Sequence, residues 1–196
     1  MFTNGDGALK RYREAVRLNP SRGEYLQQLA SALSVRGDFG AAERLFRASI
    51  KYDPSNPNRY FKYAAWLLHR GCKQRAMQNL NRVIAMAPQK IDESLTLMVI
   101  HGLTEKEMQS VVPMRIEPYL RFGDFLHQTG NDVMAEAIYR DALEFVSNGD
   151  RIKSVYFENV SRFYIEIDQP AKALAVLQKA IQVLPENLHL FVKTVT

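Results

Sequence analysis

The sequence predicts an all-α chain of stacked helical hairpins, and three observations carry that prediction. Pro20, Pro54 and Pro88 lie 34 residues apart, and each closes a stretch patterned like an amphipathic helix. Residues 23–56 written beneath residues 57–90 bring Leu26 over Tyr60, Leu29 over Tyr63, Ala30 over Ala64, Leu33 over Leu67, Gly37 over Gly71, Ala42 over Ala76, Phe46 over Leu80 and Ser49 over Val83. No alternation of strand type competes with this pattern. A fixed period of that length marks a repeat array, in which each unit buries its apolar face only by stacking on a neighbour.

Each element follows from the same spacing. Residues 1–22 hold a lone second helix with Ala8, Tyr12, Ala15 and Pro20 in phase. Residues 23–56 and 57–90 are two full hairpins. Large apolar residues recur at i, i+3 and i+7 in their first halves, and small residues recur where two helices must approach closely. Gly37 and Gly71 suit the left-handed closure of a first helix, Asp38 suits the cap of the next, and the terminal proline stops the second helix. Over residues 91–115 the register slips by 25 residues: Ile91–Gly102 reads as a short first helix, and Thr104 with Glu107 offers a capping box for a second one before Pro113. This irregular hairpin either continues the stack or fills its groove, and the sequence leaves both open.

Residues 116–149 restore the pattern with Tyr119, Phe122, Gly123, Leu126, Gly130, Asn131, Ala135, Tyr139 and Ala142, and place Ser147 in the proline slot. Residues 154–187 repeat it with Phe157, Val160, Ser161, Tyr164, Ala173, Leu177, Ala180 and Pro185, and Asp168-Gln169-Pro170 replaces the Gly-Asp turn. Residues 188–196 read as the start of a further helix. Half-repeats at both ends, in place of polar capping units, lead us to expect a fragment of a longer protein.

The combined pattern, aromatic-x2-Leu-small-x2-aromatic, then Gly-Asp, then Ala-x3-aromatic-x2-Ala, then Pro, resembles the tetratricopeptide repeat (TPR). That resemblance implies a right-handed α–α superhelix, one TPR domain over residues 1–196, and a non-catalytic scaffold that holds a protein or peptide segment in a concave groove. Carried over position by position, it implies groove residues Gln27, Ser31, Ser34, Asn58, Phe61, Ala65, Leu68 and His69, and further on Leu120, Asp124, His127, Glu158 and Arg162. Phe61, Leu68 and Leu120 are the expected apolar anchors. The family's clamp for C-terminal carboxylates uses Lys and Asn where this chain has Gln27, Phe61, Leu120 and Glu158, and Ser31, Ala65, Asp124 and Arg162. That mode of chaperone-tail binding is therefore not expected.

Composition and charge narrow the remaining classes. The chain is 46% hydrophobic, with no apolar run of the ~18–20 residues that a membrane helix needs. Residues 1–90 carry 16 Lys or Arg against 6 Asp or Glu, whereas residues 91–196 carry 10 against 15. The basic half suits an anionic partner such as an acidic protein, a phospholipid surface or a charged glycan. The reading that ranks ahead of it takes Lys10, Arg11, Arg13, Arg17, Arg44, Arg47, Lys51 and Arg82 as solvated outer faces of second helices. Nucleic acid ranks lower, because the basic residues are not interleaved with aromatics or glycine-rich loops. Cys72 is the single cysteine, which rules out an internal disulfide and suits a reducing compartment or a disulfide-free periplasmic domain alike.

No catalytic, metal or cofactor pattern stands out. His69, His101, His127 and His189 show no metal-ligand spacing, Asp124 with His127 reads as a surface hydrogen bond, and no phosphate loop or nucleophile elbow is present. The run from Leu103 to Pro113, with Tyr119–Leu126 and Ala135–Tyr139 after it, also resembles the soluble TPR tails of bacterial O-antigen polymerase or ligase-like membrane proteins. That resemblance implies a domain at the cell envelope beside a membrane glycosyl-transferring region, and it makes none of these residues catalytic.

Overall fold

The computed structural model describes residues 4–145 and 152–185, so Ser147 and the helix start expected at residues 188–196 lie outside the described residues. Among these residues there are eleven α-helices and no strand: α1 (Asn4–Leu18), α2 (Gly23–Val35), α3 (Phe39–Tyr52), α4 (Pro57–His69), α5 (Lys73–Met86), α6 (Ile91–Ile100), α7 (Glu105–Val111), α8 (Ile116–Gln128), α9 (Asp132–Glu144), α10 (Ser154–Glu166) and α11 (Pro170–Val183). A 3-10 turn, Pro88–Lys90, precedes α6. The fold is an all-α helical repeat.

Two compact units divide between Val111 and Val112, so α1–α7 lie in the first and α8–α11 in the second. In the first, α2 packs on α3 and α4 on α5, α1 lies against α2, and α6 and α7 both pack on α5. In the second, α8 packs on α9, α10 on α11, and α8 meets α10.

The apolar spacing explains why each helix buries the face it does. First helices bury the same four places: Leu26, Leu29, Ala30 and Leu33 on α2, Tyr60, Tyr63, Ala64 and Leu67 on α4, Tyr119, Phe122, Gly123 and Leu126 on α8, and Phe157, Val160, Ser161 and Tyr164 on α10. Residues at i, i+3, i+4 and i+7 share one side of a helix, so this stripe faces the second helix of the hairpin. Second helices answer with Ala42, Phe46 and Ser49, with Ala76, Leu80 and Val83, with Ala135, Tyr139 and Ala142, and with Ala173, Leu177 and Ala180. Each fully buried large apolar side chain here contributes ~1.5–3 kcal/mol.

One turn closes every hairpin. The N–H three residues past the last helical residue donates back to the helix: Asp38 to Leu33 O, Cys72 to Leu67 O, Leu103 to Met98 O, Asn131 to Leu126 O and Gln169 to Tyr164 O. The residue between must adopt a left-handed backbone, and Gly37, Gly71, Gly102 and Gly130 do so at φ of 84°, 72°, 66° and 82°. Asp168 takes the same place at φ 59°. Side-chain caps start the helices that follow: Asp38 accepts from Ala41 N at 3.0 Å and Asn131 from Met134 N at 3.2 Å. In the irregular stretch, Thr104 N donates to Glu107 Oε2 at 2.8 Å and Glu107 N to Thr104 Oγ1 at 3.3 Å, a reciprocal capping box. Residues 91–111 therefore hold two short helices joined by the same turn that closes the full-length hairpins, and each packs on α5.

Candidate functional site

Neighbouring repeats are tied together by polar groups that the apolar pattern does not reveal. In the first unit, Gln27 Nε2 donates to Arg59 O at 2.8 Å, Arg59 Nη1 donates to Gln27 Oε1 at 3.1 Å, and Arg59 Nε reaches Asp53 Oδ2 at 3.2 Å. Trp66 Nε1 donates to Ser34 Oγ at 2.8 Å, bridging α4 to α2. Glu43 accepts from Tyr63 Oη and Arg75 Nη2, and the Arg75 hydrogen bond holds its carboxyl below the usual range. Burial and the nearby carboxylate push the Tyr63 phenol up to about 12. The second unit repeats the device, with Glu136 accepting from Lys172 and Tyr164.

These ties frame a pocket of about 310 Å³ in the first unit, lined by Gln27, Gln28, Ser31, Ser34, Phe46, Phe61, Lys62, Ala65, Trp66 and His69. Phe46, Tyr63 and Trp66 form one aromatic cluster behind it, with ring centroids 5.4–6.1 Å apart. Phe61 is half-buried at the pocket with Lys90 Nζ 5.4 Å from its ring centre. The pocket thus offers aromatic surface beside hydroxyl, amide and cationic groups, a combination that suits a bulky apolar side chain set in a polar segment.

The second unit has a pocket of about 390 Å³ lined by Asp124, His127, Gln128, Tyr139, Asn159, Arg162, Phe163 and Glu166. Its chemistry differs. His127 Nδ1 lies 2.6 Å from Asp132 Oδ1, and Nε2 lies 3.0 Å from Glu166 Oε2. Both carboxylates only accept, so the doubly protonated imidazolium alone donates to both. The Asp132 hydrogen bond, aided by Glu166, raises the His127 pKa against the opposing effect of burial. Asp124 accepts from Tyr139 Oη at 2.6 Å, and burial with that bond raises the phenol's pKa.

The groove residues expected from the sequence fare unequally. Gln27, Ser31, Ser34, Phe61, Ala65 and His69 share the first pocket, and Asp124, His127 and Arg162 share the second. Asn58 and Glu158 line neither, and Asn58 N–H donates to the Asn56 side chain that caps α4. Leu68 and Leu120, expected as apolar anchors, are only 5% and 3% exposed and belong to the cores of their units, where the helix interface already covers them. Gln27 is 1% exposed with its amide engaged by Arg59. His127, expected at the surface beside Asp124, has both ring nitrogens on Asp132 and Glu166 instead.

Sequence reasoning passed over Trp66, the single tryptophan, with Lys62 and Gln28, each one place from an expected groove position, and it read Phe46 only as repeat core; together they complete the first pocket. It also passed over a polar pocket of about 720 Å³ along α5 and α7, with Gln74, Gln78, Asn81, Arg82 and Ser110 among its lining residues. The eight basic residues singled out on second helices are all exposed or half-buried at their surfaces.

No family model and no curated protein matches the chain. Among solved structures, the chain is similar to TTC0263, described as a thermophilic TPR protein in Thermus thermophilus, at 20% identity over 97% of this chain and 89% of that one, with a TM-score of 0.41. It is similar to YrrB, described as a TPR protein with an unusual peptide-binding site, at 18% identity over 96% and 100%, with a TM-score of 0.43. It is likewise similar to PilF of Pseudomonas aeruginosa, at 16% identity over 97% and 93%, with a TM-score of 0.44.

Proposed function

We propose that this chain is a non-catalytic interaction scaffold that binds a partner segment on the face formed by its first helices, with the pocket between α2 and α4 as the main anchor. The observation that carries this reading is the convergence of Phe61, Trp66 and Ser34 from successive hairpins on one opening, above the buried Phe46 ring. The inter-repeat bonds from Gln27 to Arg59 and from Trp66 to Ser34 hold that opening in place before a partner arrives, which lowers the ordering cost of binding. A bulky apolar side chain fits over Phe61 and Trp66, and flanking main-chain groups meet Ser31, Gln28 and Lys62. The concave groove expected from the repeat pattern is the broader surface to which this pocket would belong.

Peptides selected from a random library on the whole chain test the proposal, with the emission of Trp66 as a local reporter. Phe61→Ala should weaken the selected peptides by ~1.5–3 kcal/mol if the ring is fully buried on binding. Ala65→Trp should block the opening outright. Both variants should keep native helicity by circular dichroism. Unchanged affinity in both, or binding without any response from Trp66, would exclude the pocket.

A further inference from the structure

The outward faces of the second helices in the first unit repeat as regularly as the buried ones. Lys10, Arg13 and Arg17 on α1 recur 34 residues later as Arg44, Arg47 and Lys51 on α3. Residues at i, i+3 and i+7 share one side of a helix, and on α3 that side is opposite the buried Ala42, Phe46 and Ser49. All six cations are exposed. Arg17 pairs with Glu14 on its own helix, whereas the other five make no hydrogen bond or ion pair among the described residues. The corresponding places in the second unit hold Ala137, Arg140 and Glu144 on α9 and Ala175, Gln178 and Gln182 on α11, so the repeat itself does not demand these charges.

The two cationic rows lie side by side. α3 and α5 both pack on α4 and are joined by the Glu43–Arg75 ion pair, and α1 and α3 stand to α2 as α3 and α5 stand to α4. Each row runs about 10 Å along its helix, and packed helices lie about 8–10 Å apart. An exposed apolar residue closes each of these helices, again at 34-residue intervals. Leu18 ends α1 at 71% exposure, Tyr52 ends α3 at 54% and Met86 ends α5 at 41%. Their counterparts in the second unit, Phe145 and Val183, are half-buried.

We propose that this face of the first unit docks on an anionic phospholipid bilayer, with the Lys and Arg rows over the headgroups and Leu18, Tyr52 and Met86 entering the interfacial layer. A bilayer surface meets both halves of the pattern at once: its headgroups supply the negative charge, and its acyl boundary takes up apolar side chains that water does not. A nucleic acid would satisfy the cations through its phosphates but offers no apolar phase to Leu18 and Met86. None of the three pockets described above includes a residue of either cationic row or of the apolar row, so the feature is a surface and not a cavity for one small anion. For the same reason the proposal does not rest on peptide binding at the pocket between α2 and α4, and that pocket is left uncovered by the docking residues.

The test uses the whole chain with vesicles of phosphatidylcholine alone or mixed with phosphatidylserine, read by co-sedimentation, and with a phosphatidylserine monolayer, read by surface pressure. The chain should bind the mixed vesicles, weaken as salt rises, and leave pure phosphatidylcholine unbound. Arg44→Gln with Lys51→Gln should weaken binding roughly 30-fold, the worth of two cations beside an anionic surface. Lys106→Gln with Arg140→Gln removes two exposed cations outside the array and should change it less than about 3-fold. Leu18→Ser with Tyr52→Ser should keep the attraction at low salt but lose the rise in monolayer pressure. All these positions are exposed, and circular dichroism checks that each variant keeps its helices. Equal binding to phosphatidylcholine, an equal loss in the Lys106 and Arg140 pair, or a monolayer response unchanged by the serine pair would overturn the proposal. So would preference for a random-sequence DNA duplex over the mixed vesicles in direct competition.

Discussion

Gly123→Ala is the sharpest test of how the second unit is packed. A Cβ at Gly123 would stand 2.5 Å from Tyr139 Cε1 and 2.8 Å from both Cδ1 and Cζ. Ordinary carbon contact begins at about 3.5 Å, so the Tyr139 ring must retreat by roughly 1 Å. It has little freedom to do so. Tyr139 is 1% exposed, its hydroxyl is tied to Asp124 Oδ1 at 2.6 Å, and the Phe163 ring lies 4.7 Å away, centroid to centroid. Overpacking costs ~1–3 kcal/mol, and loosening the Tyr139–Asp124 bond adds ~1 kcal/mol. Alanine's better helix propensity offsets ~1 kcal/mol of this. A net loss of about 2 kcal/mol is therefore expected. Urea unfolding followed by circular dichroism, with hydrogen exchange to assign the loss to α8 and α9, measures it. Adding Tyr139→Leu should recover part of the loss by making room, which a double-mutant cycle would show as coupling. A Gly123→Ala variant as stable as the parent would refute the steric reasoning.

Asp168→Gly should raise stability by up to ~1 kcal/mol, since glycine adopts the left-handed backbone without the side-chain clash that Asp168 carries at φ 59°; an unchanged or lower urea midpoint would contradict it. The His127 contacts predict a pH dependence. Because the folded pKa is raised, their stabilisation is fully present below the ordinary histidine value of about 6.5 and is lost as pH rises through the folded value. Hydrogen exchange of α8–α10 should therefore quicken, relative to its ordinary base catalysis, as pH passes upward through that window, and His127→Gln should abolish the change. His101 in the first unit has the opposite sign, its pKa being lowered, so the readout must be confined to the second unit.

The helices were legible in the sequence because burial leaves a one-dimensional trace. Leu26, Leu29, Ala30 and Leu33 face one neighbour and recur after 34 residues as Tyr60, Tyr63, Ala64 and Leu67, and no competing structure shares that spacing. The pockets leave no such trace. Trp66 lies one place beyond Ala65, the expected groove position, yet its indole reaches back from α4 to Ser34 on α2. Arg59 engages Gln27 and Asp53 from different elements, at separations of 32 and 6 residues. Repeat phase tells which residues lie on a face, whereas the site depends on which side chains from adjacent hairpins meet there.

The same distinction governs the small residues. By pattern, Ala30, Ala64, Gly123 and Ser161 are one class, and Phe46, Leu80, Tyr139 and Leu177 another. In register the smallest member of the first set, Gly123, stands against Tyr139, a full ring pressed onto its backbone. Shape matching of this kind is what close packing demands, since a gap or an overlap of one methylene is already felt. A sequence pattern that scores only small against large identifies the hairpin but not its tolerance. It follows that Gly123 answers to its partner's ring and not to the repeat consensus, and that consensus substitutions in this chain will succeed or fail according to what occupies the paired position on the facing helix.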